Sequence, residues 1–328
     1  MQRILIAGGY GIVGTAIARH LRRLSQDSEI VLAGRNPDNG AALARELGHA
    51  STMYLDAAAL DGGAIDLQGV DLVISALYDP ANALIDAAIA QGAAHIGITT
   101  KADDVAPGAA LALASPPKRP VVLLGHCCAG AVGAVARSAA EDFSKVDSIA
   151  IAALFDPRDA VGPMTAADPE ALISRALIRQ HGVWSWANGM EHPRTVRLSD
   201  AEELPAFPTG LLDAPGLAAV TGAANIRLDL MQGDSLGTRE GGRASSDAYI
   251  DIEGTLKSGS AAKRRVVMSD PNGVANLTAL GVLLAAERVL GLDGEAPAAG
   301  GLSMPETLLA ADQATTRLKQ WGVRVIAA

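Results

Sequence analysis

The chain has 328 residues, of which 49% are hydrophobic, and a formal net charge of −9, so it can bury a sizeable core in one large or two ordinary domains. The negative balance and the lack of a long basic run argue against nucleic acid or anionic membranes as main partners. The apolar stretches near 121–135 and 277–290 are interrupted by His126 and glycines or by Glu287 and Arg288, and fall short of the ~20 apolar residues that span a bilayer.

The first element is a strand, Arg3-Ile4-Leu5-Ile6-Ala7, running into Gly8-Gly9-Tyr10-Gly11-Ile12-Val13-Gly14 and a helix from Thr15 to Leu24 with Ile17, Leu21 and Leu24 on one side and Arg19, Arg22 and Arg23 on the other. This is the layout of a dinucleotide-binding βαβ unit, in which the glycines allow a tight turn, backbone approach to a pyrophosphate and close helix packing. Gly8, Gly11, Ile12, Val13 and Gly14 are therefore expected to hold the phosphates. The second strand, Glu29–Ala33, ends in Gly34-Arg35-Asn36, roughly 20 residues on, where an acid would bond the ribose hydroxyls of NAD. A glycine followed by Arg35 leaves room for a 2′-phosphate and supplies a guanidinium to pair with it, which points to NADP(H). The alternative is that Arg35 is a solvated strand-end residue.

Strands and helices go on alternating. Thr52–Leu55, Asp71–Leu77, His95–Thr99 and Val121–Leu124 read as strands, and Ala41–Leu47, Asn82–Ala90 and Ala131–Phe143 as helices. Near-continuous apolar strands indicate a parallel sheet buried on both faces, hence an α/β, doubly wound domain over 1–145. Ligands of such sheets lie beyond the carboxyl ends of the strands. One site is therefore expected from Gly8–Gly14, Gly34–Asn36, Asp56, Ser75–Pro80 (with Ser75, Ala76 and Leu77 on the cofactor), Thr99–Lys101 and Gly125–Gly130.

After Phe143 the pattern changes. A strand at Ser148–Phe155 and a helix from Asp168 through His181 precede strands at Thr195–Leu198, Ile226–Gln232, Ala248–Leu256 and Arg264–Ser269, the last two joined through Ser258-Gly259-Ser260. This predicts a second, α+β domain over 146–270 with a mainly antiparallel sheet for substrate binding or dimerisation. Over 271–328 the chain returns through Asp270-Pro271-Asn272-Gly273 into a long helix, Val274–Leu290, expected to pack on the first domain. A loop at Leu292–Gly301, a helix at Ala311–Trp321 and a strand at Val323–Ile326 complete it.

Several of these segments together are similar to the saccharopine dehydrogenase (saccharopine reductase) family. They are the GGYGIVG start, Asp71-Leu72-Val73-Ile74-Ser75-Ala76 with Pro80, Leu84-Ile85-Asp86-Ala87-Ala88 leading to Gly92-Ala93-Ala94-His95, Gly125-His126-Cys127-Cys128-Ala129-Gly130, and Pro305-Glu306 with Gly322-Val323. The resemblance implies a Rossmann domain, an inserted mixed α/β domain and a C-terminal return, and use of NADP(H) to form or break a C–N bond through an imine. The chain departs from the family pattern at Ile98-Thr99-Thr100-Lys101, where an acid and a Gly-Glu are common, and at Ala129-Gly130, where Pro-Gly is frequent.

Lys101, beyond the fifth strand, is the first catalytic candidate, as proton donor or anchor for a substrate carboxylate, with a solvated lysine beside Asp103 and Asp104 as the alternative. Tyr78, beyond the fourth strand, is placed to cover the nicotinamide ribose or reach substrate. His126, Cys127 and Cys128 are adjacent and lack a second ligand motif, so no metal is expected; Cys128 is kept as a pocket candidate. Trp184 and Trp186, in a chain with only 3% aromatics, suggest a pocket wall or lid with His181 or His192 as a possible acid, or aromatic filler. No tyrosine has a lysine four residues on, which removes a tyrosine–lysine dehydrogenase. Arg158, Arg194, Arg227, Arg239 and Arg243 are equal candidates for a carboxylate clamp.

The reading is an NADPH-dependent reductase of a C=N or C=O bond in a small metabolite, with the second domain holding the substrate. A C=C (enoyl) reductase and a non-catalytic NADP(H) sensor remain open. The small-molecule substrate is its main partner, in a homodimer carrying Ala248–Leu256, Arg264–Ser269 and the Trp184–Trp186 segment at its contact. Two cysteines form no disulfide framework, and a secretory signal does not fit the few apolar residues before Gly8, so the cytoplasm is the expected compartment.

Overall fold

A computed structural model describes residues 2–59, 65–162 and 172–327. The chain divides into two compact units, Met1–Gly125 with Ala279–Leu309 and His126–Thr278 with Ala310–Ala328.

The first unit is a seven-stranded sheet in the order β15-β6-β5-β4-β1-β2-β3, formed by β1 (Arg3–Ala7), β2 (Glu29–Gly34), β3 (Ala50–Tyr54), β4 (Leu72–Ser75), β5 (Ala94–Gly97), β6 (Pro120–Leu123) and β15 (Gly301–Ser303). All its pairings are parallel. The order from β3 to β6 is that of a Rossmann domain. Ile4, Ile6, Ile30, Leu32, Leu72 and Ile74 are 0% exposed, because helices cover both faces of such a sheet. Between the strands run α1 (Ile12–Leu24), α2 (Ala41–Leu47), α3 (Ala83–Gln91) and α4 (Val105–Ala114). The last of these and β15 are not marked by the sequence pattern, α4 because its apolar residues are not confined to one face and β15 because it is short.

One residue of α1 departs from the amphipathic expectation. Arg22 is not on a solvated face but buried, where its guanidinium donates to the carbonyl oxygens of Ser25, Gln26, Ser28, Gly48 and His49. Burial lowers its pKa, and the fan of carbonyls supplies the compensation that a buried cation requires.

The second unit contains α5 (Ala131–Ala140) and a nine-stranded mixed sheet. Its main path is β10 (Arg194–Ser199), β11 (Glu202–Pro208), β12 (Asn225–Gln232), β7 (Phe143–Phe155), β13 (Ser246–Leu256), β14 (Ala261–Asp270) and β16 (Arg324–Ala327). Only β12 and β7 run parallel; the other pairings are antiparallel. Gly259, at φ +89°, makes the tight β13–β14 turn through Ser258-Gly259-Ser260.

One expectation is corrected here. The described end of the helix expected from Asp168 through His181 is a strand, β8 (Ala176–Gln180), paired with β9 (Val183–Ala187); residues 168–171 lie outside the described residues. His181 and Gly182, at φ +49° and +80°, form the two-residue turn between them. Two positive φ angles suit the right-handed twist of a hairpin, and a register of alternating contacts outweighed the helical reading. In the β13–β14 hairpin, β13 lies between β7 and β14, and β16 pairs with β14 over Val266–Ser269.

The C-terminal return is shared between the units. Helix Val274–Leu290 runs from the second into the first, and β15 joins the parallel sheet. Helix Ala311–Gln320 instead lies with α5 in the second unit, where Thr315 Oγ1 donates to Ala134 O at 3.4 Å.

Candidate active site

The cofactor turn occupies the carboxyl end of β1. Gly11 takes an extended conformation as the N-cap of α1, with no side-chain cap and no acidic residue in the first turn. The first-turn N–H groups and the positive end of the helix dipole are therefore left for an anion. Gly14 cannot be larger, since a Cβ there would lie 2.1 Å from Gly8 O; only glycine lets the helix start so close to the turn. Ile12 is exposed and Val13 half-buried. Beyond β2, Arg35 and Asn36 are exposed, and Asp56 follows Leu55, whose N–H donates to Gly34 O at 3.0 Å. An uncapped helix start, a glycine cradle and an exposed guanidinium past β2 fit a dinucleotide with a 2′-phosphate.

Beyond β4, Ala76 N donates to Ala7 O at 2.9 Å, and Tyr78 is 53% exposed. Ser75 closes β4. Its hydroxyl is buried and lies 2.9 Å from His95 Nε2. His95 is fully enclosed, and burial pushes its pKa down to about 4. Its Nδ1 has no hydrogen-bond partner among the described residues, beside a cavity of about 30 Å³ lined by Asp79, Asn82, Thr99 and Thr100.

The loop carrying Lys101 is held on both flanks. Thr99 Oγ1 donates to Leu77 O at 3.0 Å. A Cβ on Gly125 would fall 1.5 Å from Thr100 O, so the β6 loop approaches the β5 loop as only glycine permits. Lys101 Nζ lies 4.0 Å from Asp103 Oδ1, with 28% of its side chain exposed. The sequence offered no sign of Gly125's role, because the contact joins two loops.

Cys128 and His181 belong to the second unit. Cys128 and Ala129 both adopt left-handed backbone, at φ +47° and +51°, a conformation that costs of order 1–2 kcal/mol for each non-glycine residue. Cys128 Sγ is 3.9 Å from Ser246 Oγ. Cys127 is buried, and its N–H donates to Asp213 Oδ2 at 2.7 Å. A hydrogen bond with Cys128, burial and the Asp213 carboxylate hold its thiol well above the usual range, so it stays neutral. Among the described residues no three ligating side chains could hold a metal ion. His181 is an exposed turn residue whose N–H donates to Asn225 Oδ1 at 3.0 Å, a turn-forming role.

Trp184 and Trp186 are braced by cations on the same hairpin, Arg179 at 5.3 Å and Arg175 at 4.7 Å from the ring centroids. Trp186 and His192 line a groove of about 390 Å³ with Gln180, Glu191 and Arg227. Among the arginines, Arg194 and Arg227 are committed to the fully buried Asp229, at 2.5 and 2.6 Å, and Arg239 to Glu202 at 3.2 Å. Arg158 lies 3.7 Å from Asp234. Arg243 is exposed and close enough to offset part of the burial that raises the Asp159 pKa. The nearby Asp156 is buried, which opposes ionisation, yet bonds from Thr238, Ser235 and the Arg158 N–H hold it well below the usual carboxylate range. That network fixes the chain past β7 and was not visible in the sequence, since its members are far apart in the chain.

Residues 4–114 match the family model described as saccharopine dehydrogenase NADP binding domain. In fold, the chain is similar to saccharopine dehydrogenase (L-Glu forming) from Saccharomyces cerevisiae, with a TM-score of 0.71 at 13% identity over 100% of both chains. It is also similar to a probable dehydrogenase from Thermotoga maritima, with a TM-score of 0.52 at 14% identity over 99% of this chain and 98% of that one. No curated protein matches it in sequence. The glycine turn, the parallel sheet and the family match over residues 4–114 agree on a saccharopine dehydrogenase-type NADP-binding domain, so the cofactor is NADP(H).

Proposed function

We propose that the protein is an NADPH-dependent reductase that converts a C=N or C=O bond of a small metabolite to the amine or alcohol, with Lys101 supplying the proton. The observation that carries this reading is the placement of Lys101 beyond the carboxyl end of β5, on a loop pinned by Thr99 to Leu77 O and by the close approach of Gly125 to Thr100. Bound NADPH supplies the hydride. The Lys101 ammonium has three donors, and a single 4.0 Å contact with Asp103 leaves N–H groups to orient the substrate heteroatom and transfer a proton to it. Tyr78, exposed after β4, is the next candidate for that proton.

The test follows NADPH absorbance with amino acid plus keto acid pairs, aldehydes and enones. Turnover of an imine-forming pair or an aldehyde supports the reading. Turnover of enones alone, or NADPH binding without turnover of any class, overturns it.

Cofactor preference is a separate expectation. NADPH should bind more tightly than NADH, and Arg35→Asp should erase or reverse that preference, by about 1.5–3 kcal/mol for loss of a charge-assisted pair. Calorimetric titration of both cofactors checks it; equal affinities in the parent protein would refute it.

The reading includes a homodimer. Val183, Trp184 and Trp186 are exposed on β9, which among the described residues pairs only with β8, and an apolar edge of this kind favours coverage by another chain. Light scattering at micromolar concentrations should report a dimer, and a monomer throughout that range would contradict it. A cytoplasmic setting belongs to the same proposal and accords with the free thiols of Cys127 and Cys128.

A further inference from the structure

Tyr10 lies inside the glycine turn, at a position where dinucleotide-binding motifs make no demand on side chain. Its half-buried ring reaches across to the end of β2. A Cβ on Gly34 would sit 2.4 Å from Tyr10 Oη, and one on Gly40 would sit 2.9 Å from Tyr10 Cδ1. The phenol oxygen accepts a hydrogen bond from Asn36 N at 2.8 Å. Having accepted that bond, the hydroxyl keeps its own proton, for which the described residues provide no acceptor.

Two consequences follow from this geometry. First, the ring fills the volume that an acidic side chain at position 34 would need, and an acid at the end of this strand is how such sheets bond the 2′-hydroxyl of NAD. Second, the hydroxyl ties the turn that meets the pyrophosphate to the segment carrying Arg35 and Asn36, and leaves a donor beside them. We propose that Tyr10 determines NADP(H) selectivity in this chain, donating its O–H to the 2′-phosphate beside Arg35 while its ring bars a carboxylate from position 34. This rests on the placement of NADP(H) at the Gly8–Gly14 turn.

The test titrates NADPH, NADH and adenosine 2′,5′-bisphosphate into the parent protein and Tyr10→Phe. The phenyl ring keeps the packing against Gly34 and Gly40, so thermal melting should be close to the parent. NADPH and the bisphosphate should bind about 10-fold more weakly or worse, as expected for loss of a hydrogen bond to a charged group, with NADH within about 2-fold. A second arm compares Gly34→Asp alone with Gly34→Asp combined with Tyr10→Ala. The combined variant should bind NADH more tightly than the single one, because the carboxylate then has space. If the parent prefers NADPH and Tyr10→Phe keeps the same NADPH-to-NADH ratio, the role of Tyr10 is overturned and the cofactor placement stands. If the parent shows no preference for NADPH, the placement of the 2′-phosphate fails and the proposal falls with it.

Discussion

Lys101→Met is expected to lower kcat/KM by about 100-fold or more while leaving the NADPH dissociation constant within a few-fold, a loss of about 2.7 kcal/mol of transition-state stabilisation. Methionine keeps most of the apolar stem and removes the charge and the transferable proton. The loop should keep its place, because its anchors are Thr99 Oγ1 on Leu77 O and the approach of Gly125 to Thr100, neither of which involves the lysine side chain. The uncapped N–H groups at the start of α1 are likewise untouched. Steady-state rates on whichever substrate the NADPH screen finds, with a cofactor titration on the same folded variant, give the comparison. Parental turnover would return Lys101 to the status of a solvated lysine and make Tyr78 the next candidate for the proton.

His95 should make the protein lose stability in mild acid. Its pKa is pushed from the ordinary 6.5 down to about 4 by burial. Below pH ~6.5 the unfolded chain therefore binds a proton at this site that the folded protein refuses until about pH 4. Stability rises with pH wherever the unfolded state binds more protons, so the contribution is complete above pH ~6.5 and is lost progressively as pH falls towards 4. Its size is on the order of 3 kcal/mol. His95→Gln retains a polar atom in reach of Ser75 and removes the titration. Urea unfolding of both proteins from pH 7 to pH 4 should give a parent curve that falls more steeply than that of the variant by about this amount. Parallel curves would show that the imidazole takes up its proton in the folded state as readily as in the unfolded one.

What the sequence by itself determined is the nucleotide-binding half of the protein. The strand, the glycine turn, the helix and the Gly34-Arg35 strand end are contiguous, and each local feature carries its own physical requirement, so α/β class and cofactor were both legible. Strand alternation placed β7, β10, β12, β13 and β14 for the same reason, because a sheet's period is written along the chain. Tertiary structure decided everything that depends on residues distant in sequence. The Ser75 hydroxyl meets the buried His95, the Tyr10 phenol fills the space beside Gly34, and Gly125 approaches Thr100 O as only glycine permits. Arg194 and Arg227 were paired with the buried Asp229, and β8 and β9 emerged where a helix was expected, because strand pairing outweighs local propensity. A side chain's type shows the chemistry it can perform, but its partners, often far along the chain, decide whether that chemistry faces a ligand or is spent within the fold.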